Sequence, residues 1–262
     1  MSAIIIEDKI VHYEALGRGR PLVFLHGWVG SWRYWIPSMQ STSVSFRAYA
    51  LDLWGFGDTE KNINGYDLEN QVSLVNKFLD SLGIGKIALI GHGLGAAIAV
   101  IFAQKFPDFV DRILAIGLPL NANFIDQRLE NANLDELASW ILSNTTHGEQ
   151  ALQDLSKTDP QAILQSLNSM KGKDFHNLSR HISRPCLLVQ GEEDLAIHSP
   201  SPQLLKTLPL HFHHISLEGA GHFPMLDAPN KFNRLMNDFL TLESGQSPRQ
   251  LQLREEWKRR VR

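Results

Sequence analysis

Short apolar runs alternate along the chain with longer segments in which apolar residues recur every three or four positions. The first pattern predicts β-strands and the second predicts amphipathic helices. Because the two kinds of segment alternate, we expect a mostly parallel sheet covered by helices. Two strands are predicted within residues 3–15, and six more at 21–26, 46–53, 86–91, 112–117, 186–190 and 211–217.

Helical patterns occupy most of the intervals between these strands. The predicted helices cover residues 31–40, 68–82, 94–105 and 231–242, with Ser31 as an N-cap of the first and Gly83 as the stop of the second. Between residues 119 and 184 the chain becomes more polar but keeps helix-forming sequence, which indicates an inserted helical cap. We therefore expect a core of residues 1–118 and 185–247, a cap of residues 119–184 and a tail of residues 248–262.

Composition limits the classes of function. With 262 residues, of which 43% are hydrophobic, the chain can bury one large core. A net charge of −3 provides no field that would attract nucleic acid, so no nucleic-acid partner is expected. The single Cys186 lies in an apolar run and reads as a buried small hydrophobe, which favours a cytoplasmic location. No apolar run is long enough for an integral membrane segment.

The tail differs in charge from the rest of the chain. Residues 248–262 contain six basic and two acidic residues, and Leu253, Trp257 and Val261 are spaced four apart. A helix here would have a narrow apolar stripe beside a basic flank. Such a helix could pack on the acidic body of the protein, or it could contact a membrane surface or a partner.

The sequence Gly91-His92-Gly93-Leu94-Gly95 connects a predicted strand to a predicted helix. In the motif G-x-S-x-G, this kind of turn presents a nucleophilic serine at its middle position. Here the middle residue is Gly93. Glycine has no side-chain oxygen, sulfur or carboxylate, so it can form neither an acyl-enzyme nor an alkyl-enzyme. The sequence therefore predicts no covalent nucleophile at this turn.

Four further motifs accompany this turn in a recognisable order. Leu25-His26-Gly27-Trp28 follows the third predicted strand, and the sequence of residues 52–57 fits D-x-x-G-x-G after the fourth. Residues 191–194 end in Asp194, and residues 219–224 contain His222 in a glycine-rich loop. Together the five motifs resemble the α/β-hydrolase superfamily over residues 22–242. The resemblance implies an eight-stranded, mostly parallel sheet flanked by helices, with a helical cap insertion.

The resemblance also implies a site. Asp194 would accept a hydrogen bond from His222, and the backbone N–H groups of Trp28 and Leu94 would form an oxyanion hole. Neither a cofactor nor a metal is expected. The partner would be a small apolar or aromatic molecule in a pocket lined by His26, Phe56, Phe124 and Trp140.

Four interpretations of Gly93 stay open at this stage. Loss of a nucleophile costs a serine hydrolase about 10⁶-fold in turnover, so serine-esterase activity should be absent or very weak. His222 could instead activate water, or the His222–Asp194 pair could act as a base on a substrate, as in lyases and cofactor-free oxygenases of the superfamily. The protein could also only bind its ligand. Finally, Gly93 could be an engineered replacement of a serine.

Two rival sites are weaker. The spacing Gly91-x-Gly93-x-x-Ala96 fits a dinucleotide fingerprint, but no acidic residue follows the next predicted strand to hold a ribose. His211 and His213 would share one face of a strand, yet no third metal ligand is evident.

Overall fold

The computed structural model describes residues 2–131, 133–143, 145, 147–243 and 246–251. Eight strands form a single sheet in the order β1-β2-β4-β3-β5-β6-β7-β8. Strands β1 and β2 pair antiparallel with each other, and β2 pairs antiparallel with β4, while all the other neighbours are parallel. The predicted mostly parallel sheet is confirmed. The strands are β1 (Ser2–Ile6), β2 (Lys9–Gly17), β3 (Arg20–Leu25), β4 (Phe46–Leu51), β5 (Ile87–His92), β6 (Val110–Ile116), β7 (Cys186–Gly191) and β8 (Phe212–Leu217).

Helices flank the sheet and fill the chain between β6 and β7. The structure confirms the helix predicted over residues 94–105 to the residue, and Gly83, with φ of 62°, lies directly after the C-cap of α2. The helices are α1 (Ile36–Thr42), α2 (Leu68–Ser81), α3 (Leu94–Lys105), α4 (Arg128–Asn131), α5 (Leu134–Ile141), α6 (Glu149–Leu152), α7 (Pro160–Met170), α8 (Phe175–Ser179), α9 (Pro202–Leu205), α10 (Pro224–Asp227) and α11 (Pro229–Leu240).

The helix predicted over residues 31–40 is divided into two. A 3₁₀ turn spans Trp32–Trp35, and α1 begins at Ile36 with Pro37 in its first turn. Proline fits a helix start because its missing N–H needs no partner there. Ser31 is the N-cap, as predicted, and its hydroxyl accepts a hydrogen bond from the Arg33 N–H.

The helices between β6 and β7 contact the core through a buried charge. The carboxylate of Asp154, 2% exposed, accepts hydrogen bonds from the Ser31 hydroxyl at 2.7 Å and the Arg33 guanidinium at 2.5 Å. Lys157 pairs with the same carboxylate at 2.8 Å. Burial alone would raise the pKa of Asp154, but these partners hold it below its ordinary value. The bonds from Asp154 to Ser31 and Arg33 thus fix this helical segment to the chain after β3.

The carboxyl ends of β3, β5, β7 and β8 meet at one edge of the sheet, where open α/β folds bind ligands. Close approach at this edge requires glycine. A Cβ on Gly95 would overlap the carbonyl of Leu25, and a Cβ on Gly191 would overlap the carbonyl oxygen of Gly221. The loops after these strands are therefore packed backbone against backbone.

The last described residues pack beside β8. A 3₁₀ turn spans Pro248–Gln250, and the Arg249 guanidinium donates to the carbonyls of Phe212, Leu208 and Pro209. The predicted tail stripe of Leu253, Trp257 and Val261 lies outside the described residues. Among the helices that the structure does describe, none combines the length and the apolar character needed to cross a bilayer.

Candidate active site

The turn between β5 and α3 has the backbone of a nucleophile elbow. Gly93 has φ of 51° and ψ of −107°, a conformation that residues with side chains rarely adopt. Its N–H donates to the Ile116 carbonyl at 2.8 Å, which ties the turn to β6. The turn therefore presents its middle position to the sheet edge even though that position has no side chain.

The indole of Trp28 lies over Gly93. A Cβ built on Gly93 would lie 3.0 Å from Cζ3 and 3.2 Å from Cε3 of Trp28. Trp28 is 1% exposed, and its Nε1–H donates to the Ser166 hydroxyl of α7 at 3.1 Å. The ring thus lies between the elbow and a helix of the segment that connects β6 to β7.

His222 and Asp194 come together at the same sheet edge. The Nδ1 of His222 lies 2.9 and 3.0 Å from the two carboxylate oxygens of Asp194, and both side chains are almost fully buried. Asp194 Oδ1 also accepts the N–H groups of Ala196 and Ile197. Because the carboxylate accepts, His222 carries its proton on Nδ1 in the neutral state, which leaves the lone pair on Nε2.

Two backbone N–H groups at this edge have fixed orientations. The Gly27–Trp28 peptide is held by its carbonyl oxygen, which accepts the His26 Nδ1–H at 2.8 Å. This fixes the direction of the Trp28 N–H in the same peptide. The Gly93–Leu94 peptide is held in the same way, because its carbonyl oxygen accepts the Ala97 N–H at 3.1 Å. Neither N–H donates to any residue that the structure describes. The Leu94 N–H lies at the N-terminus of α3, where an unpaired backbone donor can bind an oxygen that carries negative charge, and the Trp28 N–H would be a second donor from the loop after β3.

His26, in the loop after β3, is fully buried, and its ring links that loop to the loop after β4 through Gly27 and Leu53. Its Nε2 accepts the Leu53 N–H at 3.0 Å, so the proton is on Nδ1. Burial lowers the pKa of His26, which keeps the ring neutral. Phe56, also fully buried, packs edge-on against this ring at 5.0 Å between centroids.

Phe124 and Trp140 lie in the segment between β6 and β7 and are partly buried. Phe124 ends a short 3₁₀ turn, Ala122–Phe124, and the guanidinium of Arg128 lies 5.3 Å from the centre of the Trp140 ring. Among the described contacts, none joins either ring to Gly93 or His222 by a hydrogen bond, an ion pair or ring packing.

Asp227 is a residue that the sequence analysis missed. Its Oδ2 accepts the Gly221 N–H at 2.8 Å, which holds the loop that carries His222. Burial raises the pKa of Asp227, although the hydrogen bond from Gly221 and the proximity of His222 oppose the increase. The only sequence signal for it is an acidic residue five positions after His222.

One group among the described residues has the spacing of a metal site. Ligand atoms of His12, Asp52 and Asp58 lie within 4.8 Å of one another. Asp52 already accepts the N–H groups of Trp32 and Asp58 and pairs with His12, while Lys157 lies 2.7 Å from Asp58. Burial alone would lower the pKa of His12, but the hydrogen bond to Asp52 and the charges of Asp52, Asp58 and Glu14 together raise it above its ordinary value. Both carboxylates thus already have protein partners, while Nε2 of His12 is buried without a hydrogen-bond partner.

The histidines of the rival metal site lie on or beside β8. Burial lowers the pKa of His214 to about 4, while Nε2 of His211 and Nε2 of His214 are buried without a hydrogen-bond partner. Among the described residues, they do not lie together with a third potential metal ligand.

Comparisons with known proteins agree on one fold. A family described as alpha/beta hydrolase fold matches residues 20–150, half of the chain. The soluble epoxide hydrolase of Corynebacterium sp. (strain C12) is 36% identical over 108 residues, which span 41% of this chain and 38% of that enzyme. The putative carbamate hydrolase RutD of Yersinia enterocolitica is 24% identical over 260 residues, 90% of this chain and 94% of the relative.

Among solved structures, a serine-to-glycine variant of the N-acyl homoserine lactonase AidH, complexed with N-hexanoyl homoserine lactone, superposes with a TM-score of 0.80. It is 18% identical to this chain, and the superposition covers 91% of this chain and 96% of the lactonase. At this identity the likeness establishes a shared fold.

Proposed function

Because the chain belongs to the α/β-hydrolase fold family, we propose that it binds a small apolar or aromatic molecule at the elbow and performs no acyl-enzyme chemistry. The observation that carries this proposal is Gly93, which keeps the elbow conformation but has no atom that could attack a carbonyl. Every other part of the expected machinery is a backbone group or the His222–Asp194 pair, in which the carboxylate already accepts from His222 and from two backbone N–H groups.

Two features support a ligand of this class. The Trp28 ring, 1% exposed, lies directly against the elbow and would form an apolar, polarisable wall against a ligand there. The N–H groups of Trp28 and Leu94 have no partner among the described residues, so an ester, lactone or amide oxygen would satisfy them. A structural neighbour with glycine in place of a serine was solved with an intact lactone, which is compatible with such binding.

A second candidate function is slow hydrolysis by activated water. The observation that favours it is the 2.9 Å contact between His222 Nδ1 and Asp194, which leaves Nε2 able to take a proton. In this route Nε2 removes a proton from water, and the water oxygen bonds to the substrate carbonyl. The proton then passes from His222 to the leaving alcohol as its bond breaks. No atom of the protein becomes acylated.

Ligand binding is expected to raise the melting temperature of the wild type in the presence of aromatic esters such as phenyl acetate or phenyl butyrate. A ligand at about 100 times its dissociation constant stabilises the folded state by about 2.7 kcal/mol. The shift should be smaller in Trp28→Phe and unchanged in Trp32→Phe, a matched variant away from the elbow. The measurement is differential scanning fluorimetry, followed by chromatography of the recovered ester.

The two candidates give different results in this experiment. Recovery of the intact ester supports binding alone, whereas release of acid and alcohol that stops in His222→Ala supports activated water. If no aromatic or aliphatic ester changes the melting temperature of the wild type or of Trp32→Phe, the proposal that the ligand is a small apolar or aromatic molecule is wrong.

We also propose that the core and the cap divide at residues 118–119 and 184–185, and that the protein works in the cytoplasm. The free Cys186 is buried, and burial raises the pKa of its thiol, so it is unreactive. That is compatible with a reducing compartment. For the basic tail of residues 248–262, contact with a partner or a surface stays a prediction.

A further inference from the structure

A series of three buried hydrogen bonds joins the loops of the site. The Gly27 N–H donates to the phenol oxygen of Tyr34 at 2.7 Å, and that oxygen lies 3.0 Å from Nδ1 of His92. On the other side of the ring, Nε2 of His92 lies 2.8 Å from the carbonyl oxygen of His222. The series therefore connects the loop after β3, the elbow after β5 and the loop after β8.

The chemistry of the groups gives every bond in this series a single direction. The carbonyl of His222 can only accept, so His92 carries a proton on Nε2. Burial, with a further contribution from nearby His222, lowers the pKa of His92 far below its ordinary value, so the ring is neutral and Nδ1 is an acceptor. Burial raises the pKa of Tyr34, so the phenol keeps its proton and donates it to Nδ1. The phenol oxygen then accepts from Gly27.

The packing around His92 makes the series rigid. His92 is fully buried, and the centre of its ring lies 4.5 Å from that of His222 and 4.8 Å from that of Phe223. Tyr34 meets the ring edge-on, with an interplanar angle of 83°. His92 also directly precedes Gly93 in the chain. A ring held on all sides transmits its position to each of its partners.

We propose that His92 is a positioning residue, which, as the neutral Nε2–H tautomer, holds the loop of Gly27 and Trp28 and the backbone of His222 in fixed register with the elbow. The proposal deepens the proposed function, because it assumes that the Trp28 N–H and His222 face the same ligand. His92 touches no ligand itself. It acts through Tyr34 on the peptide of Gly27, which precedes Trp28, and through its Nε2–H on the main chain of His222.

The first test uses the wild-type protein and requires no activity. Nitrogen-15 NMR of the histidine rings at pH 7 should show His92 with a proton on Nε2 and none on Nδ1. In Tyr34→Phe, Nδ1 of His92 loses its hydrogen-bond donor. Its nitrogen resonance should therefore shift to that of an unprotonated ring nitrogen with no hydrogen bond, while the proton on Nε2 persists. Observation of a proton on Nδ1, or of an imidazolium at His92, would overturn the proposal.

The second test compares replacements of His92 that keep or lose the donor at Nε2. In His92→Gln the side-chain amide can still donate to the carbonyl of His222, whereas His92→Ala has no donor. The Nδ1 proton of His222, bound to Asp194, should give a sharp downfield resonance in the wild type and in His92→Gln, and a broadened one in His92→Ala. Equal broadening in both variants would contradict positioning through the Nε2–H.

A kinetic arm adds the functional consequence in the Gly93→Ser background. Because a displacement of about 1 Å can cost about 10²-fold, His92→Ala should lower kcat by about that factor with KM little changed. His92→Gln should recover most of the loss. A rise in KM with an unchanged kcat, or equal losses in both variants, would contradict the proposal. If Gly93→Ser is itself inactive, the expectation that a serine restores esterase chemistry at the elbow fails, whereas the two NMR tests still decide the role of His92 and the melting temperatures still decide ligand binding.

Discussion

Gly93→Ser is expected to turn the protein into a measurable esterase, with kcat/KM for p-nitrophenyl butyrate raised by about 10³-fold over the wild type. Gly93 already has the elbow conformation, so a serine hydroxyl would project from the turn toward the sheet edge. We expect only part of the full nucleophile effect, because the new Cβ would lie 3.0 Å from Trp28 Cζ3 and the ring must move by a few tenths of an ångström.

The matched control for this gain is Gly93→Ala. Alanine adds the same Cβ against Trp28 and imposes the same backbone strain but supplies no oxygen. We expect Gly93→Ala to stay at the wild-type rate and Gly93→Ser alone to be labelled by a fluorophosphonate probe. An equal increase in both variants, or turnover by Gly93→Ser without labelling, would show that the serine does not act as a nucleophile at this turn.

His222→Ala in the Gly93→Ser background is expected to abolish the whole gain, about 10³-fold in kcat/KM. Loss of the histidine from a catalytic triad costs about 10⁶-fold, more than the gain itself, so activity should return to the Gly93→Ala level. Asp194→Asn should have nearly the same effect, because an asparagine favours the wrong tautomer of His222 and costs about 10⁴-fold in a serine protease.

The control for these losses is His198→Ala, which removes an exposed histidine that pairs loosely with Asp126 at 3.8 Å. It should leave kcat and KM in the Gly93→Ser background unchanged. Steady-state kinetics on the same ester compares Gly93→Ser with its three double variants, which carry His222→Ala, Asp194→Asn or His198→Ala. If His222→Ala keeps a tenth or more of the Gly93→Ser activity, another group is the base and the site has been assigned to the wrong histidine.

The sequence predicted the parts of the fold that follow from local patterns. Alternating apolar and amphipathic segments predicted the eight strands and the helices that became α1, α2, α3 and α11, but not the short helices α9 and α10, and the small residues after Gly93 marked the start of α3 correctly. The boundaries were less accurate, since β6 begins at Val110 rather than at residue 112. Asp111 and Arg112 separate Val110 from the apolar residues that follow, and this polar pair obscured the start of the strand.

The arrangement inside the candidate site could not be predicted in the same way. Tyr34 and His92 are 58 positions apart, and His92 and His222 are 130 apart, so no local periodicity encodes their hydrogen bonds. The position of the Trp28 ring over Gly93 depends on Ser166 in α7, in a segment without a family motif. The motifs placed Asp194 and His222 on neighbouring loops, but only the folded chain shows which atoms face each other.

The central claim is that the protein forms no covalent intermediate at the elbow, and intact-mass spectrometry tests it most directly. The wild type and Gly93→Ser would each be mixed with p-nitrophenyl butyrate, quenched in acid and weighed. We predict the mass of the unmodified polypeptide for the wild type and an added butyryl group in the Ser variant. A butyryl adduct on the wild-type protein, mapped to the turn around Gly93, would contradict the account.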